Sequence, residues 1–301
     1  MRLTNVPKIS VVTPSFNQAP YLEACLSSVL NQKYPNLEYI VIDGGSTDGS
    51  VEIIQAHQSS LSYWISEPDS GHADALNKGF SRCSGDILCW LNSDDMQTPW
   101  TLSTVADIFM EFEDVEWIQG WNGFWTKGGV MVHPMRNPKN IYSYLTWNYH
   151  WIQQESVFWS RNLWRKAGSQ INPDYKLMVD VELWSRFFLY ADLYHVDALL
   201  GGWRNTGENR ALMNKEECHI EALKAIATME DRIDRKTLRC AKTFRLLSLL
   251  RNNTLTRMLC LANLLISFPS VKNLINAAGY REIRWNDEVH QWQRMRSPFH
   301  S

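Results

Sequence analysis

From residue 8 to residue 119 the chain alternates short β-branched runs with segments whose apolar residues recur at helical spacing. Residues 8–13 (KISVVT), closed by Pro14, read as a first strand, and Leu22, Cys25, Leu26, Val29 and Leu30 mark one face of a helix. Residues 37–42 (LEYIVI) form a second strand. DGGSTDGS follows, with glycines for a tight turn and Asp48 placed to cap a helix carrying Ile53 and Ile54. Residues 62–66 are a third strand, 71–83 a helix with Ala73, Leu76 and Phe80 inward, and 86–91 a fourth strand. Thr98-Pro99 supplies a helix start, with Leu102, Val105, Phe109 and Phe112 as the buried face, and 115–119 are a fifth strand.

This alternation predicts an α/β fold with a mostly parallel sheet and helices on both faces. Ligands of such sheets bind beyond the carboxyl ends of the strands. Three stretches lie there, TPSFNQ, DGGSTD and NSDD, and they are expected to line one crevice. The last ends the fourth strand with two adjacent acids, Asp94 and Asp95, whose repulsion calls for compensation. A divalent cation with oxygen ligands, Mg²⁺ or Mn²⁺, shared with substrate phosphates would provide it. Solvated loop acids, or Asp95 acting in a turn, are the plain alternative.

With 45% hydrophobic residues, 301 residues suffice for one large domain or a domain with an appendage. The net charge of −2 gives no global basic field for nucleic acid. The charge is unevenly spread: residues 235–281 hold nine Lys/Arg and no acid, against 21 basic and 32 acidic residues elsewhere. Six cysteines (Cys25, Cys83, Cys89, Cys218, Cys240, Cys260) lack metal-binding spacing and read as core thiols in a reducing compartment. The N-terminus has no apolar core of signal-peptide length, and the longest apolar stretch, 258–268, is too short to span a bilayer. A cytoplasmic protein is the expectation.

VVTPSFNQAPYLEACLSSVLNQ, YIVIDGGSTDGS, SEPDSGHADALNKGF and WLNSDD, with Pro99 beyond, together resemble the family 2 glycosyltransferases of the Rossmann-like GT-A fold. The resemblance covers about residues 8–205 and implies inverting, metal-dependent transfer of a hexosyl or related group from a nucleotide-diphosphate sugar, in cell-surface polysaccharide synthesis. By position it implies that Pro14 and Asn17 approach the nucleotide and Asp43 contacts the base. Asn77 and Lys78 would lie near the ribose and diphosphate, Asp94 near the ribose, and Asp95 on the metal. Asp48 as a cap and Lys78 as a solvated helix residue are the competing structural readings.

Direct displacement needs a base for the acceptor hydroxyl. The segments QQESVFWSRNLWRKAGS and YKLMVDVELWSRFF resemble the family's acceptor region, and Asp180 aligns with its base. Asp180 is equally suited to cap the helix buried by Val181, Trp184, Phe187 and Phe188. Glu182 and Glu155 are the further candidate acids. Val179 and Thr206 stand where many relatives carry an acid and a histidine, and Asn92 replaces the first acid of D-x-D. Seven of fourteen tryptophans fall between 117 and 164, where core packing competes with an acceptor-facing role for Trp151 or Trp121.

These readings divide the chain into a catalytic domain at 1–210 (1–119 for the nucleotide sugar, 120–210 for the acceptor) and a helical C-terminal extension at 211–301. The acceptor is expected to be a saccharide or a lipid-linked sugar. The basic segment 235–281 would then sit on an anionic membrane surface at the inner face of the cell membrane, or else pack on the acidic catalytic domain. QWQRM at 291–295 resembles the Q-x-x-R-W of processive synthases, with Met295 in place of tryptophan. A sugar-phosphate nucleotidyltransferase would need a glycine-rich basic first loop, and a dehydrogenase G-x-G-x-x-G; TPSFNQAP is neither. A non-catalytic nucleotide-sugar-binding protein would not need Asp95 and Asp180 together.

Overall fold

β1 (Ile9–Ser15) is buried along its whole length, as suits a β-branched run at the centre of a parallel sheet. The computed structural model describes residues 6–146, 151–252 and 269–299. β1 pairs in parallel with β2 (Leu37–Asp43) on one side and β4 (Ile87–Trp90) on the other, and β3 (Tyr63–Ser66) extends β2. The chain therefore reverses its direction of travel across the sheet at β1. With right-handed crossovers, α1 (Ala19–Leu30) and α2 (Ser50–His57) fall on one face and α3 (His72–Arg82) on the other.

Pro14 fits this switch point for a backbone reason. Register between β1 and β4 ends at Val12 and Trp90, where Leu91 N–H donates to Val12 O. Two residues on, Pro14 faces the same side and has no N–H to offer. It breaks no ladder bond, and β1 and β4 separate there to open a crevice.

The second half mixes directions. β5 (Met96–Gln97) pairs with β9 (Tyr194–Arg204), which runs parallel to β6 (Trp117–Trp125). β7 (Met131–Met135) flanks β6, and antiparallel β8 (Val157–Ser160) joins β4 to β6. β10 (Tyr280–Asn286) lies parallel to β9 and turns back into β11 (Gln291–Ser297). The order is β11-β10-β9-β6-β8-β4-β1-β2-β3, two parallel blocks bridged by β8. The extension thus contributes a hairpin, with QWQRM on its outer strand, as well as helices.

Of the helices, α4 (Thr101–Glu111) begins later than expected. The Thr98 hydroxyl lies 2.8 Å from that of Thr101 and donates to Leu199 O at 2.9 Å, so Thr98 anchors β9 instead of capping. α5 (Ile141–Leu145), α6 (Arg161–Lys166) and α7 (Val179–Phe187) follow, then α8 (Arg210–Met213), α9 (Lys215–Glu230), α10 (Arg235–Asn252) and α11 (Pro269–Ala277). Phe244 and Leu247 of α10 pack with Ala278, Tyr280 and Phe299 in a small core of their own. The apolar stretch 258–268, Cys260 and Trp147 lie outside the described residues.

Five of the tryptophans, Trp164 among them, are buried in the main core. Trp90, Trp117, Trp159 and Trp184 are completely buried and touch one another and Phe187 at centroid distances of 5.3–5.8 Å. Trp121 donates to Asp197 at 2.9 Å, inside an ion cluster with Arg136, so it is tied into the sheet.

Candidate active site

The first two loops are knitted together. Asn17, at φ 51°, donates its N–H to Ser46 Oγ at 2.7 Å and accepts from Thr47 N–H at 2.9 Å through its side chain. Asp48 stands one residue before the N-cap of the helix after it, Gly49, which makes no side-chain bond. Its carboxylate accepts from the N–H and hydroxyl of Ser50, the first residue of α2, and from Ala19 N–H at the start of α1. Asp43, fully buried, accepts from Gly45 N–H, Ser46 N–H, Ser46 Oγ and Ser66 Oγ at 2.5–3.1 Å, so it organises the turn at the end of β2. Asn77 exchanges two bonds with the Ile171 backbone, tying α3 to the second half, and Lys78 pairs with Glu67 at 2.9 Å and Asp74 at 3.6 Å.

The end of β4 gathers buried charge. Asp95 has no exposed surface; Arg204 N–H donates to its Oδ1 at 2.8 Å, and Asn92 and Gln154 approach Oδ2 at 3.4 and 3.5 Å. Burial, then the charges of Asp94 and Glu155, push its carboxyl well above the usual range. Asp94, half-buried, is raised by burial too and accepts from Asn209 at 3.4 Å. Glu155, 1% exposed, accepts from Gln154 at 3.0 Å, leaves Oε2 without a partner, and is pushed by burial up to about 7. The loop carrying Glu155 presses on β9 at Gly201, where a Cβ would strike the Glu155 carbonyl. Glycine there is what lets the third acid approach the pair.

A cation faces this group. Arg204 at the end of β9 is 3% exposed, lies over the Tyr21 ring at 5.2 Å, and lowers the carboxyl of Asp94 against the effect of burial. Its Nε and Nη2 donors are buried without partners. Half-buried His72, whose Nε2 is 3.1 Å from Asn92 Oδ1, is held down to about 4 by burial and stays neutral. Arg204 lies in WRNTGEN, the segment that also carries Thr206. Thr206 holds Asn209 in place, through its N–H at 3.0 Å to Asn209 Oδ1. Neither Arg204 nor Asn209 was legible as a site residue, because their relation to Asp94 spans over a hundred residues of sequence.

Asp180 lies in the first turn of α7, not at its cap, which is Met178. Burial raises it to about 6, while the N–H of Val181 and the indole of Trp151 hydrogen-bond it. The backbone N–H groups of residues 176–178 before α7 are taken up by Glu221 of α9 at 2.9–3.0 Å, a function the sequence did not reveal. Glu182 is held in a bidentate pair with Arg186 at 2.7–2.8 Å. Asp180 and Glu155 raise the same field, since the charge of Asp180 adds to the shift on Glu155.

The sequence model for "Glycosyl transferase family 2" matches residues 10–167, just over half of the chain. The chain belongs to that family. Among curated relatives, an uncharacterized glycosyltransferase of Mycobacterium tuberculosis (Rv1514c) is 44% identical over 94 residues, 31% of this chain and 36% of the relative. The putative teichuronic acid biosynthesis glycosyltransferase TuaG of Bacillus subtilis is 36% identical over 108 residues, 35% of this chain and 43% of the relative. The chain thus spans less than half of the length of these relatives. Among solved structures, S. aureus TarS 1–349 in complex with UDP superposes with a TM-score of 0.62 at 17% identity, covering 90% of this chain and 78% of that one. The mannosyltransferase PcManGT from Pyrobaculum calidifontis in complex with GDP-Man and Mn²⁺ gives 0.55 at 17%, covering 90% and 83%. These likenesses establish the GT-A fold for this family 2 chain.

Proposed function

We propose that the chain is an inverting glycosyltransferase that moves a sugar from a nucleotide-diphosphate donor to a hydroxyl of a saccharide or lipid-linked acceptor in cell-surface polysaccharide synthesis. The observation that carries this reading is the buried Arg204 guanidinium, with two unpartnered donors, beside the desolvated Asp94–Asp95 pair. Unpaired buried charge is costly on both sides. A diphosphate with its cation supplies an anion to Arg204 and a cation to the acids at once. TarS with UDP and PcManGT with GDP-Man and Mn²⁺ support a ligand of this class. Family membership disfavours the nucleotidyltransferase alternative.

The residues fit such a cation. Asp95, with Asp94 beside it, offers hard oxygen donors whose raised carboxyls mark missing positive charge. Among the described residues no three His, Cys, Asp or Glu side chains converge as a metal cage, so donor phosphate oxygens would complete the shell. Mg²⁺ or Mn²⁺ held there would neutralise charge on the departing diphosphate. Pro14, Asn17 and Asp43 would shape the nucleotide side through the two knitted loops. Asn77 and Lys78 would support it from α3. Asp180 would take the acceptor proton; a carboxylate shifted towards neutrality is a stronger base than an ordinary one. Trp151, bonded to Asp180, would border the acceptor.

Residues 1–119 would then handle the donor, 120–210 the acceptor, and 211–301 would buttress them, with Glu221 holding the start of α7. Among the described residues no helix is long and apolar enough to cross a membrane. The exposed Arg235, Lys236, Arg239 and Lys242 of α10 would favour an anionic surface, giving a cytoplasmic protein peripheral to the membrane.

The test is donor binding and turnover. A panel of nucleotide sugars should yield one that binds by calorimetry and releases its nucleoside diphosphate in the presence of acceptor. Arg204→Gln should weaken that binding by about tenfold or more, the worth of a charge-assisted hydrogen bond. No binding across the panel, or an undiminished Arg204→Gln, would reject the reading.

A further inference from the structure

A cavity of about 360 Å³ lies at the opposite end of the sheet from the crevice. It is lined at the starts of β9 and β10 by Asp192 and Arg281, by Arg296 of β11, and by Arg232 and Asp234 of the α9–α10 turn. Phe188, just past the end of α7, forms part of an apolar wall. Eight residues of helix separate Phe188 from Asp180, about 12 Å, so the cavity is distinct from the active site.

Its charge is unbalanced. Arg281 and Arg296 are directly opposite in the β10–β11 register, and like charges in that relation are destabilising. Asp192 pairs with Arg281 at 2.5 Å, and Asp234 is occupied by the N–H groups of Lys236 and Thr237 at 2.9 Å. Arg296 reaches the Ala277 carbonyl, and Arg232 donates to the Tyr190 hydroxyl at 3.2 Å. Neither of these two has a carboxylate among its described partners. Guanidinium forks lining one cavity from a strand pair and a helix end suit the several oxygens of one tetrahedral anion. The volume and the apolar wall leave room for more than a bare phosphate.

We infer that this cavity binds the phosphate group of an organophosphate, either a free phosphorylated metabolite or the headgroup of an anionic phospholipid. Arg232 and Arg296 are its main ligands. The site is independent of donor chemistry. It lies where the extension meets the second half of the sheet, so its ligand clamps α9 and the β10–β11 hairpin to the end of α7.

The experiment uses the full chain, glycerol 3-phosphate by calorimetry, and flotation with vesicles of phosphatidylglycerol in phosphatidylcholine against phosphatidylcholine alone. Arg232→Gln with Arg296→Gln should weaken binding of the responding probe by about a hundredfold, roughly tenfold for each charge-assisted bond removed. Ala277→Trp, which fills the cavity from an exposed position without changing charge, should weaken it as well. Thermal unfolding reports whether each variant remains folded. A response to glycerol 3-phosphate alone assigns a free metabolite, and a response to phosphatidylglycerol vesicles alone assigns a lipid headgroup. Wild-type protein that responds to neither probe overturns the inference, as does a double variant or a folded Ala277→Trp that binds as well as wild type.

Discussion

Trp90 and Trp184 stack with ring centroids 5.4 Å apart and planes 13° from parallel. Trp90 ends β4, which leads directly into Asn92, Asp94 and Asp95. Trp184 lies one turn beyond Asp180 on α7. The contact fixes the helix bearing the proposed base against the strand bearing the proposed metal site. Trp184→Ala should cost about 3–5 kcal/mol, the usual range for emptying a buried aromatic site. Denaturant unfolding measures it, and turnover should fall even where the variant remains folded. A loss below about 1 kcal/mol would mean that neighbouring rings close the gap.

The cation prediction separates the two acids. Asp95→Asn should abolish any enhancement of donor binding by Mn²⁺ or Mg²⁺, whereas Asp94→Asn should weaken binding less. Calorimetry with Mn²⁺ and with EDTA reads both variants. Equal wild-type affinity under the two conditions would remove the metal from the mechanism.

Asp180 makes opposite predictions for rate and stability. Its folded-state carboxyl is raised from 3.8 to about 6 by burial, so the fold binds the proton more tightly than the unfolded chain does. The contribution of this group to stability is full below pH 3.8, declines as pH rises towards about 6, and is lost above it. Asp180→Asn removes that cost. Its unfolding midpoint should exceed that of wild type at pH 8, with the difference vanishing near pH 3.5. Transfer should drop by about 10²–10⁴ with donor affinity kept, and the wild-type rate should rise with pH through about 6. Near-normal turnover would shift the base to Glu155, since Glu182 is committed to Arg186.

Membrane attachment through α10 is tested by salt-dependent flotation. Arg245 is excluded as an anchor because it bonds Leu145 O and Glu230. Replacing Arg235, Lys236, Arg239 and Lys242 by glutamine should remove about 1 kcal/mol each for those near the surface, and with it most low-salt binding to anionic vesicles. Wild-type protein that stays unbound at low salt would leave α10 with packing alone.

The alternation of residues 8–119 determined the parallel half of the sheet and its crevice. β-branched runs, helical spacing and loop glycines act over a few residues, and crossover handedness sets which face each helix covers. The motifs TPSFNQ, DGGSTD and NSDD carried the family for the same reason: each is a local turn at a strand end. Tertiary structure decided what those loops meet. Asp94 and Asp95 lie near Glu155, Arg204 and Asn209 only because β9 returns beside β6 and Gly201 admits the Glu155 loop. Asp180 reads as a cap because an acid before an apolar helix usually is one, but Met178 holds that position and Glu221 from α9 takes the N–H groups of residues 176–178 that lead into the helix. The hairpin at 280–297 is not legible in the sequence because its outer strand is largely exposed and lacks a periodic apolar face. Pairing with a distant strand is a long-range event, and composition along the chain does not encode it.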